Sequence, residues 1–393
     1  MKGRLTPYGM SNFESIILDN RYFVDKTKYI EELERTKNPI FLRPRRFGKS
    51  LFTEILRWYY DLRRRDSFER LFGNLYIGKN PTPLHNTYYF LALDFSGMGA
   101  WVEGDKNFIK KEFDNSILID LHYFLKHYQD LLKLDDNYIN NFRTVYQNDA
   151  ASGLKEITKQ VYNQSGKMFI AIDEYDSLTN AMAIYYQYAP EADNEYLNIL
   201  RKGGFFRGFF ESIKAGTKIC IDQVYITGIL PITIADMNSG YNIAEWITFN
   251  RNFVNMLGIT ESELDKLLDE VYADYPITIL TKAQTQKVLK QYYDGYRFSA
   301  NAENVYNPMM TMYFIKHLIQ NDIPDLMADR NLRIEYNQLA YIFGNNTEER
   351  NKVISTITDT KTFKHDQTID VSFDMNAYKE VNILPKGCFI PAF

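Results

Sequence analysis

Gly48-Lys49-Ser50 stands between two unlike stretches of chain. Ile40 and Phe41 ahead of it read as the end of a buried strand, and Leu51-Phe52-Thr53-Glu54-Ile55-Leu56-Arg57-Trp58-Tyr59-Tyr60 after it reads as an amphipathic helix. A Gly-Lys-Ser at a strand-to-helix turn has the chemistry of a phosphate site. The first amides of a helix have no partner within it, and the helix dipole favours an anion there. A lysine at this point reaches β- and γ-phosphates, and a serine hydroxyl can ligate Mg²⁺, which keeps most of its own waters. The residues expected around a bound nucleotide are therefore Arg43, Arg45, Arg46, Phe47, Gly48, Lys49, Ser50 and Leu51.

A Walker A loop opens with glycine, and this chain has Arg43 there. Arginine lacks the easy positive φ of glycine, so the loop must close differently or form a variant cradle. The guanidinium groups of Arg43, Arg45 and Arg46 could add phosphate contacts. The second half of the chemistry is carried by Lys167-Met168-Phe169-Ile170-Ala171-Ile172-Asp173-Glu174. An apolar run that ends in two carboxylates reads as a buried parallel strand reaching its carboxyl edge, where open α/β sheets place their ligands. Asp173 is expected to share the Mg²⁺ with Ser50. Glu174 is expected to orient or deprotonate the attacking water.

The elements around these residues follow the same logic. Thr87-Tyr88-Tyr89-Phe90-Leu91-Ala92-Leu93-Asp94-Phe95-Ser96 reads as a further core strand, with Asp94 and Ser96 at its polar end. Apolar residues recur at helical spacing from Asn107 to Leu132 and from Ser152 to Asn163. The strand Lys218–Gly228 ends on Thr227, which is either a γ-phosphate sensor or a turn residue. Arg201 and Arg207 precede that strand; they either neutralise transition-state charge or lie solvated. Upstream of the loop, Tyr22, Phe23 and Asp25 either cover the base or belong to a surface strand, and Thr27 is a plausible N-cap for a helix over Lys28–Glu34. Strands alternating with helices imply an α/β fold, a mainly parallel sheet with helices on both faces. Loop, acid pair and polar strand end together make it a P-loop NTPase with an extra strand between its two Walker motifs.

Phe23-Val24-Asp25-Lys26-Thr27, followed by Arg43-Pro44-Arg45-Arg46-Phe47-Gly48-Lys49-Ser50, resembles the opening of the bacterial AAA-ATPase-like family. The resemblance continues through Ile170–Asp176, Ile226-Thr227-Gly228, Asn250–Thr260, Tyr292-Tyr293-Asp294-Gly295-Tyr296-Arg297-Phe298 and Val305-Tyr306-Asn307-Pro308. Arginine at position 43 is that family's habit. The resemblance implies an ATP site at Lys49, Ser50, Asp173 and Glu174. It also implies a relative of the AAA and STAND ATPases, acting as a switch or remodelling motor and forming a homo-oligomer. Members often carry a C-terminal PD-(D/E)XK nuclease-like domain.

Behind the ATPase core, expected over residues 1–250, Thr260–Leu268 reads as a capped helix, with two more over Lys282–Tyr293 and Met309–Gln320. This gives a smaller, mostly helical lid or winged-helix-like module over 251–325, in which Tyr292, Asp294, Tyr296 and Arg297 either touch nucleotide or pack. Residues 326–393 are expected to be a linker or the truncated start of a nuclease-like domain. Asp370, Asp374 and Glu380 there form no Asp…Glu-x-Lys cluster of the kind that chemistry needs. Two cysteines without a metal-ligand spacing, no N-terminal apolar segment and no membrane-length apolar run point to a cytoplasmic protein. The net charge of −4 confines any nucleic-acid contact to local patches such as Arg43–Arg46 or Arg63–Arg65. The leading expectation is Mg²⁺-dependent ATP hydrolysis, linked to a DNA or protein client. The alternatives are a nucleotide-binding switch that does not hydrolyse, or a DNA-binding protein with a vestigial ATPase fold.

Overall fold

The computed structural model describes residues 3–101, 106–188, 195–229, 238–299 and 301–327. The polar stretch with Asp370, Asp374 and Glu380 lies outside them. The described chain divides into two units. One holds the residues up to Thr87 together with those from Glu245 onward, and the other holds those between Tyr88 and Ala244. The helices expected over 251–325 therefore belong to the same unit as the loop of residues 43–50.

Seven strands are present among the described residues: β1 (Pro39–Leu42), β2 (Tyr89–Asp94), β3 (Met168–Asp173), β4 (Ile221–Gly228), β5 (Glu245–Trp246), β6 (Ile259–Thr260) and β7 (Val305–Tyr306). The first five make a mainly parallel sheet flanked by helices, as expected of a P-loop α/β fold. In the first unit β1 runs parallel to β5, with Pro39 opposite Glu245. In the second, β3 lies between β2 and β4, parallel to both. Leu93 faces Ile172 and Asp94 faces Asp173, while Ile172 faces Ile226 on the other side. All six residues of β3 are buried, which is why the segment reads as an unbroken apolar run rather than an alternating one.

Several helix boundaries differ from the sequence reading, each for a local reason. The helix after the loop of residues 43–48 is Lys49–Tyr60, so Lys49 and Ser50 form its first turn. The helix expected from Lys28 starts at Tyr29, and Lys28, not Thr27, is its cap. The Thr27 hydroxyl instead donates to Asp25 Oδ1 (2.6 Å) and accepts from the Ile77 amide (3.2 Å). The long helix expected over Asn107–Leu132 breaks at Tyr128 into Lys106–His127 and Gln129–Leu132. Tyr128 is fully buried there, and its hydroxyl accepts the Phe90 amide of β2 (2.8 Å). A helix over Asp136–Val145, capped by the Asp135 carboxylate on the Tyr138 amide, was not foreseen.

The C-terminal helices match their expected places: Glu261–Asp274, Lys282–Tyr293 and Pro308–Leu318. The first two begin with reciprocal capping boxes, Thr260 with Glu263 and Thr281 with Gln284. Their apolar faces meet in one core containing Leu264, Leu268, Val271, Leu289, Phe314 and Leu318, and Tyr22 from the N-terminal segment packs into it.

Candidate functional site

The candidate phosphate loop, residues 43–50, is built from the inside outward. Ile40, Phe41 and Leu42 of β1 are fully buried, so the chain leaves the sheet at a fixed point. Within the loop, Arg46 (φ 67°) and Gly48 (φ 91°) take left-handed backbone. At Gly48 a methyl group would meet nothing within 4 Å, so the backbone conformation, not space, favours glycine. Gly48 caps the helix, and the first bond of its ladder runs from the Phe52 amide to Gly48 O (2.9 Å). The amides of Lys49, Ser50 and Leu51 precede that bond at the positive end of the helix. Lys49 Nζ curls back over the loop and donates to Arg43 O (3.0 Å) and Pro44 O (3.1 Å). Arg45, Arg46 and Ser50 are exposed, and Leu51 is half-buried. An ammonium group, a helix N-terminus and an exposed hydroxyl suit a polyphosphate with Mg²⁺, a hard ion that prefers oxygen ligands.

Arg43 departs from the expectation that it adds a phosphate contact. It is fully buried. Its Nη1 donates to Leu42 O (2.8 Å) and Thr248 O (2.9 Å), and its Nη2 to Phe253 O (3.2 Å) and Val254 O (3.1 Å). The guanidinium plane also lies over the rings of Phe298 (3.7 Å) and Phe41 (4.1 Å). Four carbonyls and two ring faces hold it inside the protein as a structural cation.

Phe47 is buried as well, edge-on to Tyr296 (4.7 Å between centroids) and Phe298 (5.7 Å), in a cluster with Val254 and Val305. Sequence reasoning gave Tyr296 a choice between nucleotide contact and packing; the structure packs it behind the loop. The signal was present in the spacing, since Tyr296 and Phe298 are two apart in extended chain and fall on one side. The residues expected near the base are also occupied within the protein. Both Asp25 oxygens are taken, Oδ1 by the Thr27 amide (2.8 Å) and hydroxyl and Oδ2 by the Tyr76 amide (2.7 Å). Tyr22 is fully buried and donates to Asp274 (2.9 Å), and Phe23 lies beside Phe13 (5.8 Å).

The acid pair belongs to the second unit. Asp173, almost fully buried, ends β3, and its Oδ1 accepts the Glu174 amide (3.0 Å). Glu174 turns the chain with a left-handed φ of 50° and is half-buried. Its carbonyl accepts the Ser177 amide (2.9 Å), which opens the helix Ser177–Tyr188. The end of β4 is fastened to this turn. The Tyr175 amide donates to Thr227 O (3.2 Å), and the Asp176 carboxylate accepts the Ile229 amide (3.1 Å) and Asn180 Nδ2 (2.7 Å). Gly228 is required for this approach, because a Cβ there would sit 2.4 Å from Asp176 Oδ1 and 2.6 Å from the Tyr175 ring. Thus Asp173, Glu174 and the fully buried Thr227 share one edge of the sheet, a junction to which Asp176 contributes unforeseen.

Asp94, exposed and level with Asp173, accepts the Ser96 amide (2.8 Å). Beside it, burial pushes the Asp120 carboxyl up to about 7; the Asp94 charge adds to the shift and the Asp94 amide opposes it. Arg207 Nε donates to Glu211 (2.9 Å) on the next turn of its own helix, Phe205–Gly216. Arg201 is exposed in the turn after the helix Glu195–Leu200. No helix among the described residues is long and apolar enough to cross a membrane. No cluster of three His, Cys, Asp or Glu able to hold a metal is present among them either; a nucleotide-bound Mg²⁺ uses one or two protein ligands and needs no such cluster.

A family model described as a predicted AAA-ATPase matches residues 7–238. The uncharacterized protein in the vnfD 5′ region of Azotobacter chroococcum mcd 1 is 23% identical over 315 residues, covering 78% of this chain and 51% of that protein. The chain thus spans about half the length of this curated relative. No solved structure matches the chain.

Proposed function

The chain belongs to the predicted AAA-ATPase family, and from that premise we propose that it binds ATP with Mg²⁺ and hydrolyses it. Lys49 neutralises the β- and γ-phosphates, and the amides of the helix's first turn cradle them. The Ser50 hydroxyl and the Asp173 carboxylate are the protein's metal ligands. Glu174 orients the attacking water, and Thr227 senses the γ-phosphate. Arg45 and Arg46, both exposed, supply further positive charge to the phosphates. Arg201 and Arg207 are the candidates for neutralising transition-state charge. Little covalent chemistry is asked of the protein in phosphoryl transfer, so these groups act by position and charge. The hydrolysis would drive a switch or remodelling step on a DNA or protein client.

The observation that carries this reading is the loop itself. Gly48 in left-handed backbone caps a helix whose first residue, Lys49, folds its ammonium group over the preceding loop carbonyls. The test is Mg²⁺-dependent phosphate release from ATP, with nucleotide binding measured alongside for the parent, Lys49→Ala and Glu174→Gln. Lys49→Ala should lose binding. Glu174→Gln should bind normally while turnover falls by at least about 100-fold. A parent that binds without turning over would be a nucleotide switch, and one that binds no nucleotide would sink the assignment.

A further inference from the structure

The Walker pattern places glycine where this chain has Arg43, yet the loop needs no glycine there for its backbone. Of residues 43–50, the two with left-handed φ are Arg46 and Gly48. Position 43 is instead occupied by a side chain that reaches across its own unit. Arg43 Nη2 binds the carbonyls of Phe253 and Val254, and the next carbonyl, Asn255 O, accepts from Lys26 Nζ (3.0 Å). Three successive carbonyls of one turn are thus held by two buried cations, one ahead of the loop and one at its first residue. At the other end of the loop, Phe47 packs on the same platform through Val254, Tyr296, Phe298 and Val305. Gly258 lets that platform close, since a Cβ there would lie 2.7 Å from Val305 and 3.3 Å from Phe47. Both ends of the loop are pinned, and the exposed residues Arg45 and Arg46 lie between the pins.

We propose that Arg43 and the Phe298 ring beneath it are positioning residues, which hold the phosphate loop in its binding shape and so set nucleotide affinity. The inference rests on the ATPase reading and names what prepares that site. A loop that binds phosphate through its amides loses affinity when it must be ordered at the moment of binding. At metal sites, removing an outer-shell partner of a ligand costs about 10- to 100-fold in affinity, and a loss of that order is expected here.

The test uses the full chain and three variants. Phe298→Ala removes the ring, Phe298→Tyr keeps it, and Leu289→Ala cuts the core of the C-terminal helices without touching the platform. Phe298→Leu, which keeps bulk without a ring face, replaces the alanine variant if that does not fold. Melting temperature, MgATP affinity, kcat at saturation and hydrogen exchange of the amides of residues 45–51 without nucleotide are measured for each. Phe298→Ala should weaken MgATP binding about 10- to 100-fold, with kcat at saturation changed much less and loop amides exchanging faster. Phe298→Tyr should restore both, and Leu289→Ala should lower the melting temperature while leaving affinity unchanged. Unchanged affinity in Phe298→Ala, or an equal loss in Leu289→Ala, overturns the proposal. If the parent binds no nucleotide, the ATPase reading falls and exchange decides alone: faster loop amides in Phe298→Ala uphold the tether, and unchanged ones overturn it.

Discussion

Asp120→Asn should stabilise the protein in a pH-dependent way. Asp120 lies on the helix Lys106–His127, half-buried beside Asp94, and its carboxyl is raised from 3.8 to about 7, chiefly by burial. A carboxyl whose folded value exceeds its unfolded value binds its proton more tightly in the native state. The unfolded chain sheds that proton near pH 4 and the native state only near pH 7, so stability falls across that window as pH rises. Three units at about 1.4 kcal/mol each set an upper bound of ~4 kcal/mol. Water reaching a half-buried carboxylate reduces this to about 2 kcal/mol. The asparagine cannot ionise, so the variant escapes the loss. Urea unfolding followed by circular dichroism at pH 4, 6 and 8.5 measures the difference. Parent and variant should differ least at pH 4, and the variant should lead by about 2 kcal/mol at pH 8.5. Asp94→Asn should move the midpoint less, because burial outweighs the Asp94 charge. A difference that stays flat across pH, or a parent that gains on the variant as pH rises, would refute the reasoning.

Three further perturbations probe the framework around the loop and the acid pair. Gly258→Ala imposes a Cβ on a backbone at φ 96° and drives it within 2.7 Å of Val305, so it should cost about 3 kcal/mol in chemical unfolding. Adding Val305→Ala should recover little of this, because the Val305 Cβ itself would stand 2.9 Å from the new methyl group. Lys26→Met removes the ammonium that binds Glu263 Oε2 (2.6 Å) and Oε1 (2.8 Å), leaving a half-buried carboxylate short of its partner. That loss should be about 2–3 kcal/mol, and Lys26→Met with Glu263→Gln should recover part of it, since burial already pulls the Lys26 ammonium below its ordinary value. Asp176→Ala strips the acceptor from the Ile229 amide and Asn180, and thermal melts should show a loss of about 2 kcal/mol.

What was legible in the sequence was local. The capping box of Thr260 and Glu263 lies within four residues, and the helix begins where it says. The β3 run announces itself because every residue of it is buried, and the carboxylates that end it fall where a buried strand must turn polar. The loop and its helix could be read for the same reason: glycine, lysine and an amphipathic run are neighbours. The break at Tyr128 was not legible, because its cause is the amide of Phe90, 38 positions away.

Arg43 is the sharpest case. By residue type a cation in a phosphate loop reads as a ligand, and by motif it reads as a defect. Neither reading contains the carbonyls of Thr248, Phe253 and Val254, which stand 205, 210 and 211 positions along the chain. A short side chain at position 43 could not reach them, and a glycine there would leave these backbone acceptors without the guanidinium that joins them. The same contacts explain why the loop tolerates the missing glycine. Its left-handed turns are made at Arg46 and Gly48, so position 43 is free to serve packing instead of backbone freedom. The residue that looks like a departure from the phosphate motif thus ties the loop to Phe298, as Phe47 ties it to Tyr296 and Phe298 from the other end. Variation at either place should be tolerated only when the other still offers a cation and a ring face to match.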